Sequence, residues 1–316
     1  MHRSLLSWLV VFALLAAGFG ATVLALNNDV FSAHGFVRSY LQALARQDAD
    51  EALAFAGVVV PESEDATLLV DGALGGVGDV RLLSDVDHDG VHTVRYSVML
   101  HGNEQITEFR VEHDGTAFGL FDSWSFAASP LARIDVTVAN DSRFTANGVD
   151  AVTGVPLLVL APGRYVIDHD STYLRSSSET VLVATVGETT EVLLEPEPTK
   201  AFEDAAEDAV AAYLDGCVTQ QVLMPTACPF GFAEANRIVG LPKWTVEEYP
   251  VVTLEPGAVA GRWKAHGSGG AVRIDVTVKS LFDGSTSQLR EKVNVDGSYV
   301  LVLGDDESIT VLEAKS

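Results

Sequence analysis

The run Leu5–Leu26, LLSWLVVFALLAAGFGATVLAL, contains no charged residue. A helix needs about 20 apolar residues to cross a hydrocarbon core of about 30 Å, and it satisfies its own backbone hydrogen bonds while doing so. Residues 1–28 are therefore expected to form a membrane anchor. Arg3 precedes the run and Asn27, Asn28 and Asp29 follow it, which puts the N-terminus on the cytoplasmic side and the remaining chain outside. A cleaved signal peptide is the competing expectation. Val23-Leu24-Ala25 offers a small-residue cleavage site, but such peptides have a shorter apolar core of about 7–15 residues. Both expectations place the rest of the chain outside the cytoplasm, anchored in one case and secreted in the other.

Two features of composition bear on that exterior portion. The formal net charge of −24 argues against nucleic acid and against anionic lipid as partners. A hydrophobic content of 47% is too high for a disordered tail, so the exterior portion should fold. The chain has two cysteines, Cys217 and Cys228. In an oxidising compartment an isolated, closely spaced pair reads as one disulfide, in keeping with the outside location. A zinc site would need more ligands, and no C-x-x-C motif is present.

Residues 29–128 read as an α+β module. Val37, Tyr40, Leu41 and Leu44 recur at helical spacing, and Asp48 with Glu51 is a capping-box pair for a second helix over Ala49–Ala56. Strands are predicted at Thr67–Val70, Asp79–Leu83, His92–Leu100, Gln105–Glu112 and Thr116–Phe126, with Asp89-Gly90 and Asp114-Gly115 as hairpin turns. Over residues 36–56 the sequence is FVRSYLQALARQDADEALAFA, and paired long strands follow. This arrangement resembles the NTF2-like fold. The resemblance implies a bent sheet wrapped around N-terminal helices, with a pocket between them.

Residues 129–198 carry short strand signals without a helix: Leu131–Ala139, Pro156–Leu160, Arg164–Asp168, Thr180–Val186 and Glu191–Leu194. They predict a small β-sandwich of immunoglobulin-like or transthyretin-like type. Ala161-Pro162-Gly163-Arg164-Tyr165 is similar to the Pro-Gly-x-Tyr turn of such modules. Glu195-Pro196-Glu197-Pro198 reads as a stiff linker.

Residues 199–316 return to an α+β order. A helix is predicted over Ala201–Leu214, ended by Gly216, and the cysteine-closed loop follows it. Strands are predicted at Trp244–Leu254, Val259–His266, Ala271–Lys279, Gln288–Val295, Ser298–Leu303 and Ser308–Leu312. Val94–Val98 aligns with Val272–Val276, and Asp114-Gly115 with Asp296-Gly297, which reads as two diverged copies of one NTF2-like module flanking the sandwich. A competing match, RIDVTV at Arg133–Val138 and Arg273–Val278, falls in a different register. A span followed by tandem small modules resembles the TcaA-like group of bacterial envelope proteins. That group usually carries a zinc ribbon before the span, and residues 1–4 hold no cysteine for one.

The sharpest chemical motif is Asp85-Val86-Asp87-His88-Asp89-Gly90. Alternate carboxylates followed by glycine open a calcium loop, which makes Asp85, Asp87 and Asp89 candidate ligands. The ninth and twelfth positions are Thr93 and Tyr96 instead of the expected ligands, and a polar Asp-Gly hairpin turn is the other reading. Tyr40, Asp122 and His101 are types suited to acid–base work in an NTF2-like pocket, but nothing in the sequence brings them together. No H-E-x-x-H or G-x-S-x-G motif and no phosphate-binding glycine loop is present, so no catalytic residue and no cofactor are expected. Trp124, Trp244 and Trp263 read as core or sheet-edge anchors.

The expected protein is single-pass, membrane-anchored and extracytoplasmic, a non-catalytic binder or scaffold whose partner is an envelope protein or wall component. The alternatives are an NTF2-like small-molecule binder or enzyme, and a secreted calcium-dependent adhesion module.

Overall fold

Apolar residues at helical spacing, then at strand spacing, set the order of elements. A computed structural model describes residues 2–304 and 306–315. The helices α1 (His2–Asn28), α2 (Ala33–Ala45) and α3 (Ala49–Leu53) come first. They are followed by β1 (Gly78–His88), β2 (Val91–Leu100), β3 (Asn103–Ala117) and β4 (Phe121–Phe126). Nine shorter strands succeed them: β5 (Leu131–Val138), β6 (Arg143–Ala146), β7 (Val149–Val152), β8 (Leu157–Leu160), β9 (Gly163–Asp168), β10 (Leu174–Arg175), β11 (Glu179–Val183), β12 (Thr189–Leu194) and β13 (Glu197–Pro198). The chain ends with α4 (Lys200–Val218), β14 (Arg237–Glu248), β15 (Val251–Pro256), β16 (Arg262–Lys279), β17 (Thr286–Leu303) and β18 (Ile309–Lys315). The class is α+β, mostly strand. The chain divides into two compact units, residues 1–137, 143–168 and 178–194 in the first, and 138–142, 169–177 and 195–316 in the second. Most of the segment 129–198 thus belongs to the same unit as 29–128.

In the first unit, Ser32 caps α2 by accepting the Gly35 N–H at 3.0 Å. Val37, Tyr40, Leu41 and Leu44 form its buried face. Gly35 is required here for space, because a Cβ would lie 2.3 Å from the Asp29 carbonyl oxygen. Asp48 caps α3 through the Glu51 N–H at 2.8 Å, and the helix ends at Leu53, earlier than predicted.

β1 to β4 form an antiparallel meander. Val94, Tyr96, Val98 and Leu100 of β2 pack with Phe109 and Val111 of β3 in one core with the buried face of α2. The predicted strand at Thr67–Val70 does not form. Asp65 accepts the Thr67 N–H and Asp71 accepts the Ala49 N–H, and such side-chain bonds compete with a strand ladder. The same unit contains two further sheets, ordered β12-β5-β8 and β11-β9-β6-β7. The β6–β7 hairpin turns on Asn147-Gly148, both at positive φ, the dipeptide type that favours a two-residue hairpin turn.

In the second unit, α4 buries Phe202, Ala206, Val210, Leu214 and Cys217. It runs through Gly216 to Val218, past the predicted stop, so Cys217 lies in its last turn. The sheet follows the order β14-β16-β17-β18, with β15 also pairing β16. β14 and β15 were predicted as one strand. Pro250 lies between them, and a proline has no N–H to give a ladder. β16 and β17 were each predicted as two strands, yet each is continuous over 18 residues. The expected break is a bulge: Gly267 pairs Gly297 and Gly270 pairs Val295, while the Gly269 N–H donates to Asp296 at 2.9 Å. Asp296-Gly297 is therefore inside a strand. Asp114-Gly115 likewise lies within β3, at a register shift between His113 and Thr116. Neither dipeptide is the hairpin turn predicted. Val94–Val98 lies in β2, which pairs β1 and β3 in a four-stranded sheet, and Val272–Val276 in β16, which pairs β14, β15 and β17 in a five-stranded one.

Candidate functional site

A grouping of ionisable side chains in the first unit is centred on Asp85. A two-residue turn at Asp89-Gly90, both at positive φ, closes the β1–β2 hairpin and pairs Asp85 with Val94 and Asp87 with His92. The Asp85 side chain is mostly buried. Its Oδ1 lies 2.6 Å from Nδ1 of His92, and its Oδ2 lies 3.1 Å from Nδ1 of His34 in the first turn of α2. A carboxylate only accepts, so in this geometry each imidazole donates from Nδ1. The Tyr96 hydroxyl donates to the His34 carbonyl at 2.8 Å. Burial pushes the Tyr96 hydroxyl up to about 12, so it stays a donor across the physiological range.

Trp124 extends this grouping across the sheet. His92 meets its ring edge-on at 4.8 Å and His113 does so at 5.5 Å, while the indole N–H donates to the Phe31 carbonyl at 2.8 Å. His113 accepts the Gly115 N–H on Nδ1 at 3.4 Å and directs Nε2 toward Asp122 at 3.5 Å. Two of the eight histidines thus border one tryptophan, and each also faces an aspartate, Asp85 for His92 and Asp122 for His113.

The three aspartates of the calcium-like motif go separate ways. Asp85 serves the two imidazoles, Asp87 accepts the Gly90 N–H at 2.9 Å, and Asp89 is the exposed left-handed turn residue. Among the described residues no group of three or more His, Cys, Asp or Glu side chains is placed to hold a metal ion. Tyr40, Asp122 and His101 are also dispersed. Tyr40 is fully buried and donates to the Ala161 carbonyl at 2.8 Å, and burial holds its hydroxyl well above the usual range. Asp122 lies beside His113, and His101 occupies the β2–β3 turn with positive φ. The space between α2 and the sheet is filled: Tyr40 packs against Phe55, Phe109 and Phe126 at 5.1–5.8 Å between ring centres. An open groove of about 330 Å³ lies elsewhere, bordered by Arg95, Ile106, Glu108 and Arg110.

In the second unit, Cys217 and Cys228 form a disulfide with an S–S distance of 2.07 Å. The loop it closes is also held by Gln220, which accepts the Thr226 N–H at 2.8 Å, and by the Trp244 indole N–H, which donates to the Val222 carbonyl at 2.8 Å. Phe230 packs on Trp244 at 4.9 Å.

The aspartate motif was visible in sequence, but its histidine partners were not. His34 is 51 positions from Asp85, and no local spacing joins them. The Asp85 arrangement orients two imidazoles and clasps the start of α2 to β1 and β2. No protein-family model, no curated protein and no solved structure matches the chain.

Proposed function

We propose that this is a single-pass, membrane-anchored extracytoplasmic protein of the cell envelope that binds or scaffolds a partner and performs no catalysis. The observation that carries the reading is α1. Its segment Val11–Asn28 has a mean hydropathy of 1.6 and is unburied, whereas the apolar faces of α2 and α4 are covered by their sheets. So much exposed apolar surface is stable in lipid and unfavourable in water. The Cys217–Cys228 disulfide adds support, since such bonds persist in oxidising compartments outside the cytoplasm. We read residues 29–128 and 199–316 as NTF2-like modules, each with a helix followed by an antiparallel sheet. The aromatic filling beneath α2 favours a binding surface over an internal pocket for small molecules. The test is fractionation of intact cells with protease access to the C-terminus and intact mass. An uncleaved, membrane-bound chain digested from outside supports the proposal. A chain that begins near Leu26 and is free in the medium refutes anchoring.

A further inference from the structure

β3 and β4 outrun the rest of their sheet. β2 begins at Val91 opposite Glu112, so the part of β3 beyond Glu112 pairs with β4 alone and forms a two-stranded finger. Its tip is Phe118-Gly119-Leu120, with Phe118 and Gly119 at φ 54° and 68°. Phe118 is 95% exposed and Leu120 is 43% exposed. A phenylalanine in the left-handed region with its ring in water is doubly unfavourable, and such exceptions cluster where function holds them. Residues 116–121, TAFGLF, are uncharged in a chain of net charge −24, and no Lys or Arg occurs between Arg110 and Arg133.

The finger is fastened to the end of α1. The Asn27 side-chain amide donates to the Leu120 carbonyl at 3.0 Å and accepts the Asp122 N–H at 3.4 Å. Phe31 stacks on Phe121 at 4.4 Å. The partly covered residues of α1 are Gly20, Val23, Leu26 and Asn27, which share one face of its last two turns, and β4 contacts α1. The tip is therefore held at the level where the apolar helix ends.

We propose that the β3–β4 finger is a second membrane contact, with Phe118 and Leu120 seated in the lipid interface beside α1. This rests on the reading of α1 as a membrane span. The contact is apolar. An uncharged tip on an acidic protein gains nothing from anionic headgroups, so its insertion does not depend on lipid charge. A helix alone leaves the attached domain free to pivot, and a second contact fixes how the first unit faces the bilayer.

The test uses the full chain reconstituted in phosphatidylcholine vesicles. The native cysteines are paired, so single variants Phe118→Cys, Asn103→Cys and Leu15→Cys each take one nitroxide label. Accessibility to oxygen, which concentrates in lipid, is compared with accessibility to a water-soluble nickel chelate. Labels at 15 and 118 should both favour oxygen, with the ratio at 118 severalfold above that at 103, at the opposite end of β3. A lipid-embedded label at 15 with a water-exposed label at 118 overturns the proposal and leaves the anchor standing. Lipid exposure at both 118 and 103 also overturns it, because the sheet would then lie flat on the membrane. A label at 15 in water refutes the anchor and the proposal together.

Discussion

Each unit packs a helix, α2 or α4, on an antiparallel sheet, and the two helices are secured in opposite ways. In the first unit the start of α2 is clasped by reversible polar bonds, from His34 to Asp85 and from Tyr96 to the His34 carbonyl. In the second unit the end of α4 is stapled covalently through Cys217. The largest buried polar side chains beneath the two helices differ. The Tyr40 hydroxyl beneath α2 is paired with the Ala161 carbonyl, whereas Trp263 Nε1 and the Tyr299 hydroxyl of the second unit are buried without a hydrogen-bond partner among the described residues, as is the smaller Thr107 hydroxyl of the first. An unpaired buried polar group costs free energy, and a crosslink that restricts the unfolded chain can offset that cost. The comparison shows two helix-on-sheet arrangements held by different bonds, side-chain hydrogen bonds in one unit and a redox-sensitive crosslink in the other.

The largest expected effect is loss of the staple. A double variant, Cys217→Ala with Cys228→Ala, should lose about 3 kcal/mol in the chain-entropy model. Urea denaturation with and without reductant checks this, since reductant should destabilise only the native protein. An unchanged midpoint in the double variant would remove the covalent half of the comparison.

Next come the two tyrosines. Tyr40→Phe should cost about 1–2 kcal/mol, because it leaves the buried Ala161 carbonyl without its donor. Tyr299→Phe removes a hydroxyl that has no partner and should be neutral or stabilising. Equal losses in thermal unfolding would mean that the cores do not differ as described.

Asp85→Ala should cost about 1 kcal/mol, because two imidazole N–H groups lose their acceptor at a partly solvated site. Asp87→Ala loses a single exposed turn bond and should cost less. Nitrogen-15 shifts of the His34 and His92 rings distinguish the two variants, since only Asp85→Ala should move both.

The smallest effect concerns acid. The Arg133 guanidinium forms two hydrogen bonds with Glu64, at 2.6 and 2.7 Å, and holds its carboxyl below the usual range. A carboxyl depressed by folding stabilises the protein above its unfolded pKa, and that contribution is lost as pH falls through the folded value. Glu64→Gln should therefore be less stable than the native protein near neutrality and show a shallower loss on acidification, read from melting temperature against pH. A parallel loss in both proteins would refute the assignment.

Local patterns were legible in the sequence wherever one element carried its own signal. Val37, Tyr40, Leu41 and Leu44 marked the buried face of α2, and Asp48 marked the start of α3. Gly216 misled, because a glycine stops a helix only when nothing downstream holds the next turn, and here Cys217 is buried and bonded. Asp114-Gly115 and Asp296-Gly297 misled for a related reason. A turn-forming dipeptide is also a bulge-forming one, and the length of the partner strand decides between them.

The sequence by itself determined the uncharged helix at the start, the two helix faces and the proximity of the two cysteines, because each depends on residues within about one element of one another. The tertiary structure alone decided that Asp85 meets His34 and His92, that β16 and β17 run unbroken through a bulge, and that Leu120 is tied to Asn27 at the end of α1. Those outcomes depend on pairings between distant segments, where strand register and the fit of side chains across the core set the geometry and no periodicity along the chain records it.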